Sequence, residues 1–349
     1  MEEHLLSIAG DPEEVNTELY RDGMTDGLPV VPPTPERVEE MLGGTSREAD
    51  AEVGVIPPRY GTATVETVAV NAVMAGAKPG YMPVILAAVD AMTAEPFNLY
   101  GVNATTHPVA PLVLVNGPVA DEQRINSGYN VFGQGWRANA TIGRTVRLLL
   151  LNAGGGDPGG MDRATHGHPG KFSYCIAENE QKNPWDPLHV QRGYDADEST
   201  VTVFAADAPH EINDHVSDDA HGVLMVTADV LSTLGNNNAY LTEAEALVVF
   251  GPEHAATIAD SGWSREDVQW YLYDQARTRV GRLKHAGMYD IRDWNKRFDL
   301  KDDDDRVPIV ETPEDFVITV AGGAGKHSMA IHSMGGMTRS VTTAVADWR

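Results

Sequence analysis

Leu112-Val113-Leu114-Val115 runs without a polar interruption into Asn116-Gly117-Pro118, and the pattern returns twice. Leu247-Val248-Val249-Phe250 meets Gly251-Pro252-Glu253-His254, and Phe316-Val317-Ile318-Thr319-Val320 leads to Gly322-Gly323-Ala324-Gly325-Lys326-His327-Ser328. Short, continuous apolar runs suit strands covered on both faces, whereas a half-exposed strand alternates. The expected fold class is therefore α/β: mainly parallel buried strands with covering helices. A ligand crevice is expected outside the carboxyl ends of the strands, where the glycines fall.

Helices are signalled between these runs. Thr34 with Pro35 opens one that closes at Gly43-Gly44; Thr64 to about Ala75 forms a second, stopped by Gly76; Pro83 to Met92 forms a third. A fourth starts near Asn139 and reaches Gly154, and a fifth runs from the Ser264 cap, with Asp267 three residues on, to about Leu283. Asp26 to Pro33 is too proline-rich for a regular element and reads as an ordered extended segment. Residues 153–220 carry much Gly, Pro, Asp and His with little periodicity, and read as a long irregular insertion of the kind that serves function. Residues 285–313 read as an acidic connector. The chain thus divides into a helical and extended lead-in (1–60), a first α/β region containing the irregular segment (61–220), and a second α/β region ending in the glycine-rich loop (221–349).

Composition narrows the function classes. The 26 Lys and Arg stand against 51 Asp and Glu, a net charge of −25, which repels nucleic acid and anionic membrane. No apolar run approaches the length of a membrane span, and Met1-Glu2-Glu3-His4 lacks the start of a secretory signal. The single cysteine, Cys175, excludes an intrachain disulfide, and a cytoplasmic setting is expected. With 7 lysines among 26 basic residues, the acidic surface fits a high-salt cytoplasm, and a genome that replaces Lys with Arg accounts for it equally.

Several words of the chain resemble a poorly characterised prokaryotic family associated with UGSC-type selenoproteins and their non-selenium relatives. They are Asp26 to Thr34, Asn71 to Gly76, Ala104 to Pro111, Trp136 to Arg144, Thr165 to Lys171, Pro252 to Ala255, Gly262 to Ser264, and Gly322 to Ser328. The resemblance spans most of the chain and implies a link to thiol or selenol redox chemistry, with a redox protein as partner. It implies no substrate. Relatives often carry a cysteine where this chain has Ala77, so a thiol mechanism at that position is closed here.

Candidate chemistry lies in five places, and His210 and His215, with Glu211 and Asp214 nearby, form a further metal candidate. Gly323, Gly325 and neighbouring amides can cradle an anion, with Lys326 adding charge, His327 and Ser328 beside it and Arg339 downstream. Asn103, Thr106 and His107 precede a buried strand, and Pro108 holds His107 out of helical geometry as a proton carrier. Asn139 and Arg144 open a helix whose N-terminus favours anions. His166, His168 and Lys171 lie in the irregular segment, where the two imidazoles can share a divalent metal with a third ligand. Cys175, among apolar neighbours, reads as a small buried hydrophobe.

Two enzyme readings and one binding reading stay open. The first is an enzyme of lyase or hydrolase type on a small anionic or carbonyl-containing metabolite. In it His107, His166, Lys326 and His327 do acid–base work, and Asn103, Thr106, Asn139, Arg144, Lys171, Gly323, Gly325, Ser328 and Arg339 bind substrate. The second is a metal-dependent enzyme on His166 and His168. The third is a non-catalytic partner of a thiol or selenol redox system, and homo-oligomerisation is compatible with any of them. The enzyme readings require the polar words to converge on one cavity. There Lys171, Lys326, Arg137, Arg144 and Arg147 would have to oppose the overall negative field.

Overall fold

The computed structural model describes residues 8, 10–241, 243–287 and 301–346. In chain order its strands are β1 (Glu52–Ile56), β2 (Gly61–Thr64), β3 (Ala110–Asn116), β4 (Cys175–Ala177), β5 (Thr200–Ala206), β6 (His210–Asn213), β7 (Ala246–Phe250), β8 (Arg277–Arg279), β9 (Arg306–Pro308), β10 (Phe316–Val320), β11 (His327–Ile331) and β12 (Val341–Ala344). Two four-stranded sheets carry the fold, ordered β12-β5-β3-β4 and β10-β7-β11-β6. The fold is α/β, and both sheets are mixed: β3 runs parallel to β4 and β7 parallel to β10, while β5, β6, β11 and β12 join antiparallel. A continuous apolar run reports burial on both faces, and an antiparallel strand sandwiched between layers reads the same way. That is why the apolar runs overstate the parallel character.

Alternation along each strand builds a four-layer sandwich. In β3, Val113 and Val115 face the helices Val65–Ala75, Met82–Thr93 and Arg137–Asn152, while Leu112 and Leu114 face the other sheet. In β7, Val248 and Phe250 pack on the helices Ala220–Leu231, Pro252–Asp260 and Arg265–Gln275, while Leu247 and Val249 meet Leu112, Phe204 and Ile331 between the sheets. Burying an aliphatic side chain contributes about 1.5–3 kcal/mol, so this double use of each strand carries most of the stability.

Local signals placed several helices correctly. Thr64 accepts from the Thr67 amide, and Gly76 closes that helix at φ +80°. Ser264 and Asp267 form a reciprocal capping box. That helix nevertheless stops at Gln275, where the expectation ran on to Leu283: Arg277–Arg279 pairs as β8 with β9, and a separate helix covers Val280–His285. The segment expected to be irregular, 153–220, contains β4, β5 and β6, and β5 pairs along its whole length with β3. β12 returns the chain end to the first sheet. Residues 288–300 of the expected acidic connector lie outside the described residues. Among the described residues no helix is long and apolar enough to cross a membrane.

Register fixes which ends of the sheets meet. The Asp207 amide donates to the His332 carbonyl beyond β11, and the Asn179 amide donates to the Val320 carbonyl at the end of β10. The entry of β3 therefore lies beside the exit of β11, and the exits of β3, β4, β7 and β10 share the opposite end.

Candidate active site

A cavity of about 420 Å³ opens beside the helix Arg137–Asn152, lined by Arg147 and Leu151 of that helix, by Tyr20, Thr25, Asp26 and Gly27, and by Pro158, Asp162, Lys171 and Phe172. Its wall is held by Arg144, whose Nε and Nη2 each donate at 2.8 Å to the Asp26 carboxylate. Nη2 also donates to the carbonyls of Leu28 and Pro29. This fork straps the extended 26–29 segment across the helix. Arg144 is thus a fastener, and the guanidinium that reaches the cavity is Arg147, three residues further along.

Arg147 and Lys171 share one carboxylate. Lys171 Nζ lies 2.8 Å and Arg147 Nη1 3.5 Å from Asp162 Oδ2, with all three side chains at most 15% exposed. Burial lowers the pKa of both cations, and the like charge of Arg147 depresses Lys171 further, against the opposing pull of Asp162 on both and of Asp26 on Arg147. Two buried cations against one carboxylate leave local positive charge on a strongly negative protein.

Lys171 also connects to a histidine cluster at the entry of β3. Its ammonium donates to the Val109 carbonyl at 3.4 Å. His107, held by Pro108 just before the strand, places Nε2 3.2 Å from Asp207 Oδ1 in a contact out of line for a hydrogen bond. Asp207 follows β5, whose Ala206 pairs with Ala110 at the start of β3, so antiparallel register alone brings these two side chains together. Thr165 donates by amide and hydroxyl to the Thr106 carbonyl, docking the 165–168 loop alongside. His168 accepts the Gly170 amide at Nδ1 and stands edge-on to Tyr174, and Tyr174 donates its phenol to the Asp207 carbonyl. Burial lowers the His168 pKa, partly offset by Asp207, and pushes the Tyr174 phenol up.

Four polar atoms here are buried without a hydrogen-bond partner: Asn103 Oδ1, His107 Nδ1, Asp207 Oδ1 and His168 Nε2, the last approaching the Ala206 carbonyl without completing a bond. Asn103 stands against Gly156, another residue of the cavity wall, and its other amide atom donates to the Pro57 carbonyl. Orphaned buried polar atoms are rare in folded proteins, and their concentration marks a place for a ligand or ordered water.

The expected convergence is only partial. His107, Lys171, Thr106 and His168 come together, and His166 is exposed on the same loop. Lys326, His327 and Ser328 lie at the far end, about one strand length (roughly 20 Å) away. There the glycine segment turns into β11, and part of its donor set is occupied from within. Gly322 donates to the Ser127 carbonyl, Gly325 to the Glu253 carboxylate, and Lys326 to the Ser217 carbonyl. Gly323 packs against the Tyr129 ring, and Ser328 is buried between His254 and the Gly251 amide. Asn139 exchanges hydrogen bonds with the Asn126 backbone and donates to the Cys175 carbonyl; Arg339 pairs with Glu311 and Asp315; Arg137 caps the Gly76 carbonyl. Each of these is used by the fold itself. Cys175 is buried, which raises its pKa and keeps it a thiol.

The sequence reading missed Asp207 and Asp162, and it met Arg147 only as one contributor of charge. Thr200-Val201-Thr202-Val203-Phe204 was the signal for Asp207: a β-branched run ending at that aspartate. Among the described residues no group of three or more His, Cys, Asp or Glu side chains is placed to hold a metal ion, so His166 and His168 gain no third ligand there. No family model matches the chain, and neither a curated protein nor a solved structure does.

Proposed function

We propose that the protein is an enzyme that binds a small anionic metabolite in the cavity on Arg147 and Lys171 and transfers a proton through His107, in a reaction of lyase or hydrolase type. The observation that carries this reading is the pair of buried cations sharing the single carboxylate of Asp162 on a cavity wall. A carboxylate or phosphate bound there supplies the missing counter-charge, and burial strengthens the attraction.

The tautomer of His107 follows from its neighbours. Asp207 faces Nε2 and favours the proton there, leaving the buried and unpartnered Nδ1 lone pair to take up a proton relayed from the cavity through the Lys171 wall. Asp207 then stabilises the imidazolium that forms, and the Lys171 ammonium stabilises negative charge on the substrate.

Thermal unfolding with inorganic phosphate and with short mono- and dicarboxylates tests the binding step. A ligand at 100 times its Kd adds about 2.7 kcal/mol of stability. That gain is expected for at least one of these probes, and is expected to vanish in Arg147→Gln and persist in Lys326→Ala. Equal stabilisation of wild type and Arg147→Gln, or none by any probe, overturns the reading.

A further inference from the structure

At the opposite end of the sandwich the structure assigns a second site: His215 and His327 form a two-histidine site for a divalent transition-metal ion of the zinc class. Their Nε2 atoms are 3.1 Å apart. Two ligands each about 2.0–2.1 Å from a zinc ion, at angles between a right angle and the tetrahedral one, lie about 2.9–3.4 Å from each other. The ring centroids are 4.7 Å apart with an interplanar angle of 81°. A straight imidazole–imidazole hydrogen bond of that N···N length would place the centroids about 5.3 Å apart. The two rings are thus joined by a bent imidazole–imidazole hydrogen bond, and the same Nε2 pair spans the separation of two ligands on one ion, which would replace the shared proton.

The surroundings fix both rings. His327 Nδ1 lies 2.8 Å from Glu211 Oε1, a contact out of line for a hydrogen bond in which the carboxylate still favours the proton on Nδ1 and leaves Nε2 to coordinate. A carboxylate behind the ligating imidazole is the usual outer support of such sites and raises ligand basicity. His327 opens β11 opposite Asn213 of β6, and His215 follows two residues after Asn213. The turn carrying His215 is tied by Asp214, whose carboxylate accepts the amides of Val216 and Ser217, and by Lys326, which donates to the Ser217 carbonyl. His254 binds the Asp214 carbonyl from below. Among the described residues no third side chain is placed to ligate here, and His327 is 44% exposed, so the site is a two-ligand one completed by water and open to an exogenous ligand. Imidazole donors suit zinc, nickel and copper over magnesium or calcium.

The test uses the full chain without a polyhistidine tag, stripped with a chelator and titrated calorimetrically with Zn²⁺ alone. One equivalent is expected to bind. His215→Ala and His327→Ala are each expected to abolish it, Glu211→Gln to weaken it about tenfold, and His210→Ala to leave it unchanged. Electron paramagnetic resonance of the wild-type protein with one equivalent of Cu²⁺ reads the same site without any substitution, and is expected to show coupling to two imidazole nitrogens. Absence of binding, a Zn²⁺ isotherm indifferent to both histidines, or a copper spectrum without nitrogen coupling overturns the assignment. None of these outcomes bears on anion binding at Arg147, so the two readings fail separately.

Discussion

The two ends of the sandwich use the same residue types in opposite ways. At the entry of β3, cations and histidines are buried around a cavity with donors and acceptors left over: Arg147 and Lys171 outnumber Asp162, and His107 Nδ1 has no partner. At the exit end Gly322, Gly325 and Lys326 spend donors on Ser127, Glu253 and Ser217, and the His215–His327 pair stands in solvent. A motif rich in glycine and lysine is thus weakened as an anion cradle where the fold supplies acceptors for Gly322, Gly325 and the Lys326 ammonium. The useful signal is a pair of buried cations on a cavity wall, since unsatisfied buried polar atoms occur at both ends, Asn116 Oδ1 and Asp214 Oδ2 among them.

Removing charge at each end gives the largest test of this contrast. Asp162→Asn keeps the acceptor for the Ala164 amide but removes the carboxylate that Lys171 and Arg147 share, leaving Asp26 as the nearby counter-charge for Arg147, and is expected to cost about 3 kcal/mol in urea unfolding. Glu211→Gln, whose partner is largely exposed, is expected to cost under about 1 kcal/mol. Similar costs at both ends would remove the distinction between buried and solvated charge. Next in size is the strap. Arg144→Gln loses a bidentate, nearly buried ion pair and is expected to cost about 1.5–3 kcal/mol. It should also speed proteolytic cleavage within residues 22–33, because that fork ties the segment to the helix Arg137–Asn152. Unchanged cleavage would mean that the packing of Val30 against Met74 and Leu148 suffices.

The fold was legible where local chemistry decides it. Caps at Thr64 and Ser264, the proline at position 35 and the apolar runs of β3, β7 and β10 were all visible. The short strands β4, β6 and β11 were not, because three to five residues beside Gly and His carry no periodicity and are ordered by pairing alone. The site was half legible. His107 announced itself through Pro108, and the 165–171 loop through its composition. Asp207 and Asp162 could not be nominated among so many acidic residues, since what distinguishes them is register with β3 and proximity to Lys171. Convergence on the glycine loop was expected from the rule that ligands gather at the exits of parallel strands. It failed because β5 is antiparallel and delivers its terminal aspartate to the opposite end.

The smallest effect sharpens the entry end by its response to acid. Burial lowers the His168 pKa below its ordinary 6.5, while Asp207 opposes the shift and Lys171 and His107 reinforce it. Between 6.5 and the lower folded value the unfolded chain holds more protons than the folded one, so stability falls as pH falls through that window and is unaffected above it. His332, buried near Asp207 and shifted the same way, contributes a slope of the same sign. His168→Asn offers an oxygen to the Gly170 amide in place of Nδ1 and removes the titrating ring. Unfolding curves from pH 7.5 downward should then show a shallower loss of stability than wild type, with the contributions of His332 and His254 remaining. An unchanged slope would mean that His168 is hydrated in solution, and that the entry end is as open to water as the exit end.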